Sequence, residues 1–178
     1  MSDWGTLARR IRIPAGFAFA ALYLWLAHPT PESIVAGAAI AALGLALRAW
    51  ASGHVSKAAE ITQSGPYGYT RNPLYLGSII IGAGFALAAR SPWIAIGMLA
   101  LFLAVYIPVI RWEEAWLRAH LDGFDEYAAR VPRLFPSLTP AGLPGAFSRE
   151  RSLKHREYNA LLGAVAMLAA LVIKVKFF

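Results

Sequence analysis

The stretch from Pro73 to Ile110 reads "PLYLGSIIIGAGFALAARSPWIAIGMLALFLAVYIPVI" and holds one charged residue, Arg90, in thirty-eight positions. A helix needs roughly 20 apolar residues to cross a bilayer, with a range of about 17–25. Two segments near that length are present, Leu74 to Ala89 and Pro92 to Ile110, joined only by Arg90-Ser91. So short a joint predicts a tight antiparallel hairpin. Gly77, Gly82 and Gly84 permit a neighbouring helix to approach closely.

Working outward, three more apolar runs cover about residues 13–27, 33–51 and 158–173. Trp4 to Arg12 can extend the first into the interface, and Ala27-His28-Pro29 is a poor signal-cleavage site, so the run reads as a retained anchor. The second starts near Pro31 and carries Arg48 near its end, where it can snorkel or meet an anionic group in a cavity. Lys174 and Lys176 end the last. The expected fold is an all-α integral membrane protein of about five transmembrane helices, a single domain over residues 1–178.

Composition agrees. Of 178 residues 58% are hydrophobic and 15% charged, with a mean hydropathy of +0.50. Soluble chains average about 45–50% apolar and 25% charged. No cysteine is present, which excludes disulfides, thiolate nucleophiles and cysteine zinc sites. Four scattered His make a metal site unexpected. The net charge is +7, but the basic residues flank apolar runs, so membrane lipids rather than nucleic acid are the expected partner. Fourteen of the seventeen Lys and Arg, Lys57 and Arg156 among them, fall on one side of the spans. That asymmetry predicts a protein of the inner (cytoplasmic) membrane with its N-terminus cytoplasmic and its C-terminus outside. The large cytoplasmic segments are then residues 52–73 and 111–157. The second contains a helix-like "RWEEAWLRAHL", Asp122 placed to cap a further short helix with Asp125 three residues on, and a Pro/Gly linker "SLTPAGLPGAF". The basic run "SRERSLKHRE" should lie on headgroups.

Two places carry candidate chemistry. In "SGPYGYTRNPLYLG", Ser64 to Gly77, Gly65-Pro66 marks a turn and Pro73 opens a helix, with Asn72 at its N-cap. The free N–H groups and positive dipole end of a helix start suit an anion. Tyr67, Tyr69 and Tyr75 around it fit either an interfacial belt or a binding wall. In "RWEE", Glu113 and Glu114 follow a long apolar helix and point about 100° apart, so one can face inward. Two acids at a helix C-terminus oppose its dipole. They fit a solvated end paired with Arg111 or Arg118, or a site. His54 and His120 stand singly and are weak signals.

These residues resemble the isoprenylcysteine carboxyl methyltransferase and phospholipid methyltransferase superfamily, over about Arg48 to Pro136. "RAWASGHVSKAAEITQSGPYGYTRNPLYLG" and "EEAWLRAHLDGFDEYAARVPRLFP" carry the likeness. The resemblance implies an S-adenosylmethionine-dependent enzyme that methylates a lipid-like or prenylated acceptor, with its cofactor pocket on the cytoplasmic face. It places cofactor contacts on Ala59, Glu60, Ile61, Thr62, Tyr67, Arg71, Asn72, Pro73, Leu74, Tyr75 and Glu113. It places Arg111 or Arg133 on an anionic acceptor group and makes Glu114 or His120 a candidate base. Asn72 stands where many members carry His, Phe124 stands for a Tyr, and Arg111 precedes Glu113 by two rather than four. A reductase of the related sterol-reductase fold and a membrane scaffold are the alternative readings.

Overall fold

The structure, a computed structural model, describes all residues except 1–2, 56–59, 143–144, 155–156 and 178. Lys57, Ala59 and Arg156 therefore lie outside the described residues. Among the described residues eight α-helices run in chain order: α1 Asp3–Leu26, α2 Pro31–Ser52, α3 Pro73–Ala89, α4 Pro92–Leu101, α5 Ile107–His120, α6 Phe124–Arg130, α7 Arg149–Lys154 and α8 Tyr158–Phe177. A 3-10 turn, Gly65–Gly68, precedes α3. Among the described residues there is no strand, so the all-α membrane fold stands as the sequence predicts.

By length and composition, Pro31–Ser52, Pro92–His120 and Tyr158–Phe177 are long and apolar enough to cross a membrane, while Pro14–Leu26 and Pro73–Ala89 are shorter. The fourth span does not stop at Ile110. α4 passes through a π-helical turn, Phe102–Tyr106, straight into α5. Its 29 residues extend about 43 Å at 1.5 Å per residue, well past a hydrocarbon core of about 30 Å. "RWEEAW" therefore belongs to the C-terminal end of a membrane helix.

α2 and α3 form the closest seam. A Cβ on Gly84 would stand 2.5 Å from the Gly37 carbonyl oxygen, and one on Gly44 2.6 Å from that of Gly77. Residue numbers rise in one helix as they fall in the other, so the pair is antiparallel. Gly82 is different: its nearest outside atom is the Met98 sulfur at 3.7 Å. The α3–α4 hairpin turns on Arg90, whose φ of 50° is left-handed, with Ser91 as the next N-cap.

Near this turn Tyr23, Ile34, Phe85, Ala88, Ile94 and Leu171 form the main core. Helix-end carbonyls find donors there. Tyr23 donates to the Phe85 carbonyl at 2.9 Å, Ser33 to Ala88 at 2.9 Å, and Lys174 Nζ to Trp25 at 3.2 Å. Lys174 lies inside α8 rather than beyond it.

At the other end the long-range ties are polar. Arg48 does not snorkel: its Nε and Nη2 donate to the two Glu157 oxygens at 3.0 and 3.1 Å. Its Nη1 donates to the Leu74 carbonyl at 3.1 Å and Ser78 Oγ at 2.7 Å. The anion that Arg48 meets is thus the protein's own, at the approach to α8. The Pro/Gly segment is no free linker. Ser137, Ala141 and Ser148 donate backbone N–H to the carbonyls of Tyr69, Gly68 and Gly53, each at 2.9 Å. Asp122 caps nothing. Gly123, at φ 80°, occupies the N-cap of α6, and Asp125 instead accepts from Arg118 at 2.6 Å.

Candidate functional site

A cavity of about 300 Å³ opens between the segment before α3 and the C-terminal half of α5, at the lower end of the range of about 300–1,000 Å³ for small-molecule sites. Glu60, Ile61, Thr62, Tyr67, Arg71, Asn72, Pro73, Leu74, Tyr75 and Glu113 all line it, together with Glu114. Arg111 and Arg133 are not among its walls. Arg111 is exposed on α5, and Arg133 is tied to Glu114 from one side.

Local structure explains the placement. Gly65, at φ 58°, makes a turn that an L side chain rarely adopts, and a Cβ there would also meet the buried His54 ring at 2.7 Å. The turn sends Tyr67 inward, where Tyr127 donates to its carbonyl at 2.8 Å. Burial pushes the phenols of both Tyr67 and Tyr127 well above their ordinary range. Thr70 donates to the carbonyls of Arg133 and Leu134 at 3.2 and 3.0 Å, and the Arg71 N–H to that of Pro132 at 2.9 Å. The Val131-Pro132-Arg133 element is thereby locked against the residues that lead into α3.

The two neighbouring acids have different surroundings. Glu114, 3% exposed, accepts four bonds. Arg71 gives Nε at 3.2 Å and Nη2 at 3.4 Å, Asn72 gives Nδ2 at 3.0 Å, and Arg133 gives Nε at 2.9 Å. Arg71 also donates to the Ala128 carbonyl at 2.8 Å. One carboxylate facing two guanidinium groups leaves a net positive charge at this wall. Glu113 is half-buried and accepts the Tyr75 hydroxyl at 2.8 Å.

Asn72 sits at the N-cap of α3 as the sequence predicts, but its side chain makes no capping bond. Its amide donates to Glu114 and to the Arg133 carbonyl instead. The first N–H groups of a helix have no acceptor within it. The start of α3 therefore faces the cavity uncapped by its own N-cap side chain, beside the positive Arg71.

Sequence reasoning leaves out Val55, Trp112, Trp116, Leu117, Phe124 and Tyr127, which complete the walls. Trp112 and Trp116 are four apart on the helix of Glu113, a spacing that puts them on one face and could have found them. His120 stacks on Trp116 at 4.4 Å, donates from Nδ1 to the Trp116 carbonyl at 2.8 Å, and is exposed. Chemically, the cavity offers a positive helix start for an anion, a carboxylate for a cation, and aromatic faces for a planar ring or an onium group.

Comparison with known proteins agrees with this architecture. A family model described as phospholipid methyltransferase matches residues 33–122. The nickel-cobalt-cadmium resistance protein NccN of Alcaligenes xylosoxydans xylosoxydans is 33% identical over 94 residues, 52% of this chain and 44% of that protein. The cobalt-zinc-cadmium resistance protein CzcN of Cupriavidus metallidurans is 31% identical over 105 residues, 58% of this chain and 47% of that one. The chain thus spans about half the length of the curated relatives it matches. No solved structure matches it. The match to the family model runs from the first turn of α2 past the end of α5 and takes in every wall of the cavity except α6, and by it the chain belongs to the phospholipid methyltransferase family.

Proposed function

We propose that the chain transfers a methyl group from S-adenosylmethionine to a lipid-like acceptor at the cytoplasmic face of the inner membrane. The observation that carries this reading is the convergence of two motifs, some forty residues apart, on one cavity with both acid and helix-start chemistry. The cofactor supplies a methyl group on a cationic sulfur. Its other groups match the walls in kind: an ammonium for Glu113, a carboxylate for the start of α3 and Arg71, and a planar base for the aromatic faces.

The protein's share in catalysis is positioning. Holding nucleophile, methyl carbon and sulfur in line turns a bimolecular encounter into a local one. Glu114 holds Arg71, Asn72 and Arg133 in register. Arg133 gives Glu114 its Nε, and with nearly half of its side chain exposed it keeps its outer amines for an anionic acceptor group. Arg111 lies outside the cavity walls, where it could reach only a headgroup at the rim.

The acceptor decides the acid–base demand. A carboxylate, with a pKa near about 4, is already ionised at neutral pH, while an amine is protonated and needs a base. Glu114 has both carboxylate oxygens engaged, by Arg71, Asn72 and Arg133, and is committed to the frame. An amine-type acceptor would then turn on His120 or on water. A rate that is flat from about pH 6 to 8.5 identifies the carboxylate type, and a rise across that range the amine type. The names of the relatives point to metal resistance. Among the described residues no group of three His, Cys, Asp or Glu could hold a metal ion, so a part in resistance would act through the methylated lipid.

Labelled methyl groups should pass from S-adenosylmethionine into extracted lipid. Oxidation of NADPH in their place would favour the reductase alternative. Calorimetry with S-adenosylhomocysteine should show binding that Glu113→Gln weakens by roughly ten- to a hundredfold, the value of a charged hydrogen bond of about 1.5–3 kcal/mol. No heat from folded protein would point to a scaffold.

A further inference from the structure

A second cavity, of about 320 Å³, lies deeper along α3, against α1 and α4. No charged side chain lines it, and Ser78 and Tyr106 supply its polar side-chain atoms. Ala83, Ala95 and Leu99 among its walls are exposed on helices that face the hydrocarbon. The cavity therefore opens to the bilayer interior. A charged headgroup placed there would meet no partner, which is costly at membrane depth. A hydrocarbon chain meets only like surface.

The two cavities share no lining residue. Tyr75 lines the first and Tyr106 the second, and their rings meet edge to face at 5.9 Å and 88°. Tyr106 in turn stacks on Phe102 at 5.9 Å. Phe102 and Tyr106 begin and end the π-helical turn, a distortion frequent at functional sites. On the other side Tyr75 is tethered by its hydroxyl to Glu113. Glu113 is the carboxylate assigned above to the cofactor's ammonium. Both a phenol and an ammonium donate to a carboxylate, but the ammonium adds the Coulomb attraction of a full positive charge, so an arriving ammonium competes with the phenol for Glu113.

We propose that the second cavity takes the hydrocarbon chain of the acceptor, and that Tyr75 and Tyr106 form a partition between the cavities that is released when an ammonium occupies Glu113. This rests on the cofactor reading of the first cavity. Binding is then ordered. The cofactor loosens Tyr75 first, and the acceptor head passes from the membrane side afterwards. The reverse order meets a closed wall. By linkage, the acceptor chain and the cofactor strengthen each other's binding by the same factor.

The test uses the full chain in phosphatidylcholine nanodiscs. S-adenosylhomocysteine keeps the ammonium and lacks the transferable methyl, so binding proceeds without turnover. The chain probe is stearic acid carrying a nitroxide near its methyl end, read by electron paramagnetic resonance as an immobilised component. In the unaltered protein, saturating S-adenosylhomocysteine should raise affinity for the probe about tenfold, within the usual range of such coupling. Tyr75→Phe keeps the ring but cuts the tether, so probe binding should no longer respond to S-adenosylhomocysteine, which calorimetry still shows to bind. Tyr106→Ala should also abolish the response. Should it fail to fold, Tyr75→Phe alone carries the test. An immobilised component unchanged by bound S-adenosylhomocysteine, or a full response retained in Tyr75→Phe, overturns the partition and leaves the methyltransferase reading standing. Absence of any S-adenosylhomocysteine heat overturns both.

Discussion

Glu113 and Glu114 adjoin in the chain and part company in the fold. Glu114 is enclosed by donors from Arg71, Asn72 and Arg133. Breaking a buried charge cluster by removing one partner costs about 3–5 kcal/mol. Arg71 is 11% exposed but Arg133 is 45% exposed, and solvent screening discounts the latter's share. Glu114→Ala should therefore cost about 3 kcal/mol, at the low end of that range, read as a lowered melting temperature in detergent. Glu114→Gln should lose less, because its amide oxygen still accepts. Glu113→Gln should act on ligand affinity with little change in melting. The two buried phenols add an alkaline limit. Their folded pKa values lie above the unfolded value of about 10. The unfolded chain thus releases protons first, and stability present below about pH 10 is lost as the pH climbs beyond it. The fall approaches about 1.4 kcal/mol per pH unit for each Tyr, and Tyr67→Phe should flatten melting temperature against pH above that point. The pair of acids is legible in the sequence as a conflict with the helix dipole. Which of them serves the frame is not, because the partners that decide it lie 19 to 43 residues away.

At the scale of elements, period and punctuation carry most of the information. Pro73 at the start of α3 and the two-residue hairpin at Arg90-Ser91 are each local, and each is found where the sequence puts it, whereas the helix of the fourth apolar run continues past Ile110 and Lys174 falls inside the last helix. The π-helical turn is invisible beforehand, since "FLAVY" is as apolar as the rest of its span. The Asp122 cap is missed because Gly123 reaches φ 80° and takes the cap position itself. The glycines of α3 look alike in sequence and differ in contact. Gly84→Ala would drive a Cβ toward backbone atoms of α2 at 2.5 and 2.7 Å, which cannot swing aside. Overpacking of this kind costs typically about 1–3 kcal/mol. Gly82→Ala meets a flexible sulfur at 3.7 Å and should be near neutral. Thermal unfolding of the two variants side by side checks the seam.

At the scale of the whole molecule, the strong basic bias predicts an orientation with the N-terminus cytoplasmic and the C-terminus outside. A C-terminal alkaline phosphatase fusion should be active and a C-terminal green fluorescent protein dark, the reverse for fusions in the segment after α5; the opposite pattern would overturn the orientation. That the segments on either side of α3 and α4 close into one site follows from long-range contacts, and the residues suggest it only through the family they resemble. The cavity walls on α6, Phe124 and Tyr127, lie beyond the stretch that the family model matches. One feature reaches further than the site. Because the Asn72 side chain turns to Glu114 and makes no capping bond, an anion bound at the start of α3 would act as its cap. Ligand and helix then share one free energy, and a ligand at a hundred times its Kd would lend about 2.7 kcal/mol to the fold. Buffer phosphate or sulfate would compete for the same berth, so the apparent stability of the ligand-free protein becomes a property of the solution it is kept in.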